Sequence, residues 1–262
     1  MPVAMRVVLN AVFIIGNMAM TAHRSRICLG CWQQMKLPVP LHGPLSAPFR
    51  LFGIRPSRMN PNTCTLCEMG FTRIMKSRSV TLDVSILFAD LRNYTVLSRD
   101  WPSERLTGLL DNFYDDCATA IWEHDGLLNK TMGDAVLAIF NFPIRQPDHA
   151  ARALLAAREI QERFRGRLAE LACDRSTGDV EVGIGIGIDS GTTEFGEFGH
   201  EHRDLTAIGT LVNRAARAQA VARPGEILVT DMVRGRAGML VTSAGQNYDL
   251  KGFAEPVTLF AA

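Results

Sequence analysis

In Lys130-Thr131-Met132-Gly133-Asp134-Ala135-Val136-Leu137-Ala138-Ile139-Phe140, an unbroken apolar run follows a Gly-Asp pair. Such a run bounded by a turn signal reads as a buried strand. Leu127 to Thr131 reads as its partner, with Met132-Gly133-Asp134 as the hairpin turn between them,. Asp134 then stands at an accessible tip.

Working outward, Val80 to Leu91 carries Val84, Ile86, Leu87, Phe88 and Ala89 and reads as a largely buried strand ending at Asp90,. Behind the start signal Pro102-Ser103-Glu104, the residues Leu106, Leu109, Leu110, Phe113, Cys117 and Ile121 recur at helical spacing,. Leu91 to Thr95 reads as a short polar segment leading toward a helix. The backbone N–H groups after Asp90, leading to the helix at Ser103, could cradle phosphate groups as helix-start amides do. Downstream, a second amphipathic helix is expected from about Asp148 to Glu170, marked by Ala153, Leu154, Ala157, Ile160, Phe164 and Leu168. The stretch Val180 to Ile188 alternates with Gly183, Gly185 and Gly187, a strand with one bare face against which another backbone can pack closely,. Ser190 to Arg203 is expected to be irregular, followed by a helix from Thr210 to Ala222 and a strand from Glu226 to Thr230. Strands and helices mixed in this order predict an α+β sandwich.

Composition narrows the function classes. Lys and Arg total 28 against 27 Asp and Glu, a net charge of +1, so no global field gathers nucleic acid,. No nucleic-acid partner is expected, and any anion site must be local. Hydrophobic residues at 47% and charged residues at 21% fit a packed protein,. Val7 to Ala22 is uncharged, but Asn10, Gly16 and Asn17 interrupt it. It falls short of the ~20 mainly apolar residues of a spanning helix. A buried or partner-packing helix is the expectation for residues 1–22, with weak membrane association left open. A reducing, cytoplasmic setting is expected, because Cys117 and Cys173 sit in helical patterns as small hydrophobes and nothing suggests a disulfide framework,.

Three features bear on chemistry. Asp90 at a strand end and Asp134 on a turn could converge on hard divalent cations, which prefer oxygen ligands. Taken alone, an Asp after Gly is more often a turn former. Asn213 and Arg217 are four apart, on one helical face, where an amide and a guanidinium could grip one anion,. A solvated surface pair is the alternative, and for Lys130 the alternative is an ion pair with a nearby Asp.

Phe88-Ala89-Asp90, the stretch Lys130 to Phe140, and Val212-Asn213-Arg214-Ala215-Ala216-Arg217 occur in one order. Together they resemble the class III nucleotidyl cyclase catalytic domain of the adenylate cyclase type, from about Ser77 to the C-terminus. The resemblance implies a ferredoxin-like cyclase sandwich, an antiparallel-rich sheet with helices, over residues 77–262. It implies that Asp90 and Asp134 hold two Mg²⁺ or Mn²⁺ ions per active site. Lys130 and Thr206 match the purine-reading positions: an ammonium only donates, which suits N1 of adenine and favours ATP over GTP. Asn213 and Arg217 match the pair that orients the ribose and stabilises charge on the α-phosphate. The expected reaction is ATP to 3′,5′-cyclic AMP and pyrophosphate, in intracellular signalling. Metal residues of one subunit would face the base and phosphate residues of its twin, so a homodimer is expected. A guanylate cyclase and an inactive cyclase-fold sensor or dimerisation module are the rival readings. Gly209-Thr210 departs from the Gly-Asp common in relatives, which bears on the level of activity.

Residues 23–76 are dense in Pro, Gly, Arg and Cys and lack periodic apolar runs, placing a domain boundary near Met75 to Ser79. Cys28-Leu29-Gly30-Cys31 and Cys64-Thr65-Leu66-Cys67 supply four thiols, the set of a tetrahedral structural zinc site,. An iron–sulfur cluster takes the same number, and an unmetallated or redox pair is a third reading. A small four-cysteine unit acting as regulatory input is the expectation.

Overall fold

The computed structural model describes residues 24–75, 79–172, 182–199 and 204–262. The apolar segment 1–22 and Cys173 lie outside the described residues. Among the described residues no helix is long and apolar enough to cross a membrane. The chain divides into two compact units, one up to Phe71 and one from Thr72 onward.

The first unit contains the short helices α1 (Leu29–Met35) and α2 (Ala47–Leu51), and α3 (Thr65–Met75) begins in it. Its buried cluster consists of Cys28, Cys31, Cys64 and Leu41, with Val39, Ile54 and Cys67 packed against it. That is too little apolar surface for an ordinary core.

The second unit is built on one sheet. Its strands are β1 (Val80–Arg92), β2 (Leu127–Met132), β3 (Ala135–Phe140), β4 (Gly183–Phe198), β5 (Asp204–Ile208), β6 (Ile227–Thr230), β7 (Gly245–Tyr248) and β8 (Val257–Ala261). The order is β2-β3-β1-β4-β6-β8-β7, with β5 paired to β4. All described pairings are antiparallel except β4 with β6. The helices are α4 (Tyr94–Asp100), α5 (Ser103–Glu123), α6 (His149–Ala172), α7 (Thr210–Val221) and α8 (Asp231–Ala237). This is the expected mixed α+β sandwich, rich in antiparallel pairing.

Strand alternation decides which helix covers which face. Leu87, Ala89 and Leu91 of β1 and Ile184, Ile186 and Ile188 of β4 join the core cluster that holds Phe113, Cys117 and Ile121 of α5 and Ala153, Ile160 and Phe164 of α6. The intervening Gly183, Gly185 and Gly187 face the other way, and here α7 lies on the sheet. A Cβ at Gly187 would overlap the backbone at Ala215 and Gln219. The bare face therefore admits a helix backbone, as the glycine alternation predicts.

Two expectations are corrected. Ser190 to Arg203 is not irregular throughout: β4 continues to Phe198, and β5 folds back on it, pairing Gly196 with Thr206. Glycines lower strand propensity, but pairing along β1 from Val80 to Arg92 supplies the ladder that the local sequence does not advertise,. The segment after Asp90 does not lead straight to the helix at Ser103. Asn93 takes a left-handed conformation, φ 62°, and α4 follows at once, with Leu97 buried. A left-handed Asn is tolerated because its short polar side chain can bond locally.

Two buried polar groups of this unit are held by several partners each. Asp189, wholly buried, accepts from Arg214 Nε at 2.7 Å and from Thr230 Oγ1 at 2.6 Å. His149, at the start of α6, places Nδ1 2.8 Å from Ser85 Oγ, and its Nε2 lies 3.1 Å from Arg236 Nη1 and 3.9 Å from Asp83. Burial holds the His149 pKa below its ordinary value, against the pull of Asp83 and together with the push of Arg236; Asp148 also favours the charged form. The neutral form belongs to the folded state, so protonation favours unfolding once pH falls below the unfolded value of about 6.5. The thermal midpoint of this unit is expected to drop on acidification below that pH, and more steeply than in His149→Gln. Equal slopes in the two proteins would remove His149 as the cause.

Candidate active site

Asp90 is the last side chain but one on the α7 face of β1, opposite Ala135 of β3 and Gly185 of β4. Asp134 is in the turn between β2 and β3, where Gly133 adopts φ 64° to close the hairpin, as the Gly-Asp pair predicts. Two bonds fix that turn. Leu91 N–H donates to Asp134 O at 2.9 Å, and the Tyr114 hydroxyl of α5 donates to Gly133 O. The two carboxylates are thus set at neighbouring backbone positions and sense one another. Burial, then the charge of Asp134, raises the Asp90 pKa from 3.8 to about 6, while Arg92 pulls it down.

Arg92 is the group that the sequence did not single out. Its Nη1 lies 3.3 Å from Asp90 Oδ1, and its Nη2 donates to Gln219 O of α7. Its guanidinium occupies the space over Gly185 that a Cβ would take. Nε has no hydrogen-bond partner, and burial lowers the Arg92 pKa. One half-buried cation against two carboxylates leaves an oxygen-only cluster short of positive charge, a donor set that could hold hard divalent cations.

The strands that carry Lys130 and Thr206, far apart in sequence, meet. Asn129 Nδ2 of β2 donates to Leu205 O of β5 at 3.0 Å, and the Lys130 ammonium pairs with the Asp204 carboxylate. Asp204 and Thr206 share a face of β5 because they are two residues apart. The ion pair considered as the alternative for Lys130 therefore exists, and its Asp204 lies on the strand face that carries Thr206,. The Thr206 hydroxyl donates to Ala207 O at 3.5 Å, a contact that does not engage its lone pairs,. Asp204 was legible only as a carboxylate two residues before Thr206.

Asn213 and Arg217 lie on the exposed face of α7, one turn apart. Neither side chain engages another group among the described residues. The helix beneath them is anchored by Leu211, Ala215, Ala218 and Gln219, all buried. Within one copy, the site residues form a carboxylate pair, a Lys–Thr pair and an outward amide–guanidinium pair. In the first unit, Cys28, Cys31, Cys64 and Cys67 form a separate cluster, their Sγ atoms all within 4.8 Å of one another.

This fold and these motifs define the class of nucleotidyl cyclase catalytic domains. Residues 77–260 match the family described as the adenylate and guanylate cyclase catalytic domain, and the chain belongs to that family. Curated relatives include an uncharacterized protein of Mycobacterium tuberculosis, 32% identical over 182 residues, which make up 67% of this chain and 32% of the relative. Another, from Mycobacterium bovis, is 31% identical over 182 residues, covering 67% of this chain and 30% of the relative. The chain spans about a third of the length of these relatives. Among solved structures, the adenylyl cyclase CyaB from P. aeruginosa superposes with a TM-score of 0.65 at 25% identity, covering 70% of this chain and 95% of that one. A guanylyl cyclase superposes with a TM-score of 0.63 at 26% identity, covering 70% and 92%. The second unit is thus a cyclase catalytic domain by family, and its solved neighbours include both an adenylyl and a guanylyl cyclase.

Proposed function

We propose that the chain is an adenylate cyclase that converts ATP to 3′,5′-cyclic AMP and pyrophosphate, with two sites shared between two copies. The observation that carries the choice of base is the Lys130 ammonium held by Asp204 on the same strand face as Thr206. An ammonium donates to N1 of adenine, and the Thr206 hydroxyl accepts from the exocyclic amine; guanine presents a donor where adenine has that acceptor. Asp204 supports this role by fixing a flexible side chain before substrate arrives, which reduces the ordering cost of binding.

In the reaction the ribose 3′ hydroxyl loses its proton, its oxygen bonds to the α-phosphorus, and the bond from that phosphorus to pyrophosphate breaks. Divalent ions bound by Asp90 and Asp134 would lower the cost of the 3′ oxyanion and of the leaving pyrophosphate's charge. The carboxylate pair supports that assignment: oxygen donors, mutually repelling and underneutralised by Arg92, gain from added positive charge. Arg217 supplies fixed positive charge where negative charge grows on the α-phosphate, and Asn213 orients the ribose. Among the described residues of one copy Asn213 and Arg217 point outward without side-chain partners, which supports completion of each site by a second copy through an isologous contact,.

Purified protein assayed with ATP and with GTP in Mn²⁺ tests the reading. Cyclic AMP in clear excess is expected. Cyclic GMP in excess would establish the guanylate reading, and no product from either would establish the inactive module. Lys130→Glu is expected to lower kcat/KM for ATP by about 10–150-fold, the loss of one charge-assisted hydrogen bond worth about 1.5–3 kcal/mol. An unchanged ATP to GTP ratio in that variant would remove Lys130 from base reading. The cytoplasmic setting and the magnesium or manganese requirement belong to the same proposal.

A further inference from the structure

The four thiols of the first unit are set closer than the sequence spacing requires. Cys28 and Cys31 sit at the start of α1, and Cys64 and Cys67 at the start of α3, with Cys31 and Cys64 33 positions apart in sequence. Bridges between Ile27 and Pro40 and between Pro56 and Cys64 turn the chain so that the two pairs meet. The loop before the second pair is shaped by buried polar residues. Asn62 N–H donates to Asn60 Oδ1 at 2.8 Å, and Leu29 N–H donates to Asn62 O at 2.9 Å.

The sulfur geometry distinguishes among metal centres. Sγ of Cys28 lies 3.6 Å from that of Cys67, and Sγ of Cys31 lies 3.6 Å from Cys64 and 3.4 Å from Cys67. Four thiolates about 2.3 Å from one central ion stand roughly 3.8 Å apart at the corners of a tetrahedron. An iron–sulfur cluster puts two or more irons and bridging sulfides between its thiolates, so sulfurs on different irons stand much farther apart. All four sulfurs here lie within 4.8 Å of one another, which leaves room for one ion only. Backbone N–H groups of Cys31 and Cys64 point at Sγ of Cys28, at 3.3 and 3.2 Å, as suits a sulfur carrying negative charge. Gly30 gives close access: a Cβ there would stand 3.0 Å from Cys67 Sγ.

We propose that Cys28, Cys31, Cys64 and Cys67 hold one zinc ion in a tetrahedral thiolate site, and that this ion takes the place of a hydrophobic core in the first unit. Zinc exceeds iron(II) in affinity for such a site. Apart from the cysteines, Leu41 is the one fully buried apolar side chain of the described cluster, so most of the folding free energy must come from metal coordination,. The inference is independent of the nucleotide site.

The test uses the full chain, purified without added metal. One zinc per chain and no acid-labile sulfide are expected. Exchange with Co²⁺ is expected to give the visible absorption of a tetrahedral thiolate site, a readout that needs no variant to fold. Removing zinc with a chelator under reducing conditions is expected to open residues 24–75 to protease, and zinc is expected to restore resistance. Cys64→Ser is expected to lose the ion. Iron, with or without sulfide, a chain without metal, or an N-terminal unit that stays protease-resistant after zinc removal would overturn the proposal.

Discussion

Asp90→Ala and Arg217→Ala are each expected to lose nearly all cyclase activity, yet a mixture of the two is expected to regain it. Arg217→Ala removes one preorganised positive group, a loss of about 10²–10³ in kcat. Asp90→Ala removes an oxygen donor from the carboxylate pair and is expected to cost about a thousandfold or more, the equivalent of roughly 4 kcal/mol. In a mixed dimer one site combines the intact Asp90 of one copy with the intact Arg217 of its partner, while the other site lacks both. Equimolar random exchange makes half of the dimers mixed, each with one working site, so recovery should approach about a quarter of wild-type activity. The variants are not expected to unfold. Burial and the Asp134 charge raise the Asp90 pKa to about 6, above its unfolded value, so its ionised form weighs against the folded state at neutral pH,. The thermal midpoint of Asp90→Ala should equal or exceed that of the parent. Dimers that form and exchange without recovery would refute shared sites.

Gly187→Val is expected to be the most damaging substitution that touches no substrate. A Cβ at this position would overlap the backbone of α7 at Ala215 and Gln219, and neither a strand in mid-sheet nor a helix backbone can yield as a side-chain tip can. Overpacking typically costs about 1–3 kcal/mol and occasionally more. At about 3 kcal/mol the thermal midpoint of a unit of this size would fall by roughly 6–12 °C. Differential scanning fluorimetry would measure it. Displacing α7 also displaces Asn213 and Arg217, so activity should fall even below the melting transition. A midpoint within a degree or two of the parent would show that α7 is not seated on β4 as described.

Much of this was legible in the residues. The apolar run Ala135 to Phe140 and its Gly-Asp turn gave the hairpin, because a buried strand and a tight turn are both local signals. Gly183, Gly185 and Gly187 announced a close approach, though not that α7 would make it. What stayed hidden was mostly non-local. The length of β4 depends on its ladder with the distant β1, and β8 on its ladder with β6. β5 and β7 pair with strands close by in sequence, but are too short to carry an apolar alternation that would announce them. Arg92 and Asp204 were unremarkable surface-type residues until the fold placed one over Gly185 and the other against Lys130. The four cysteines were visible as a ligand set, but the choice between one ion and a cluster needed the sulfur spacings.

One internal contact governs an external aim. Successive residues of a helix are rotated by about 100°, so fixing the azimuth of one fixes the others. With Ala215 turned to the sheet, Asn213 and Arg217 fall about 160° to either side of it and bracket the outermost line of α7. Arg214, between them, is tethered to Asp189, a carboxylate with no exposed surface. The compass bearing of both outward groups is therefore locked from a place without exposed surface, and a change at Asp189 is expected to swing them while leaving both side chains chemically intact.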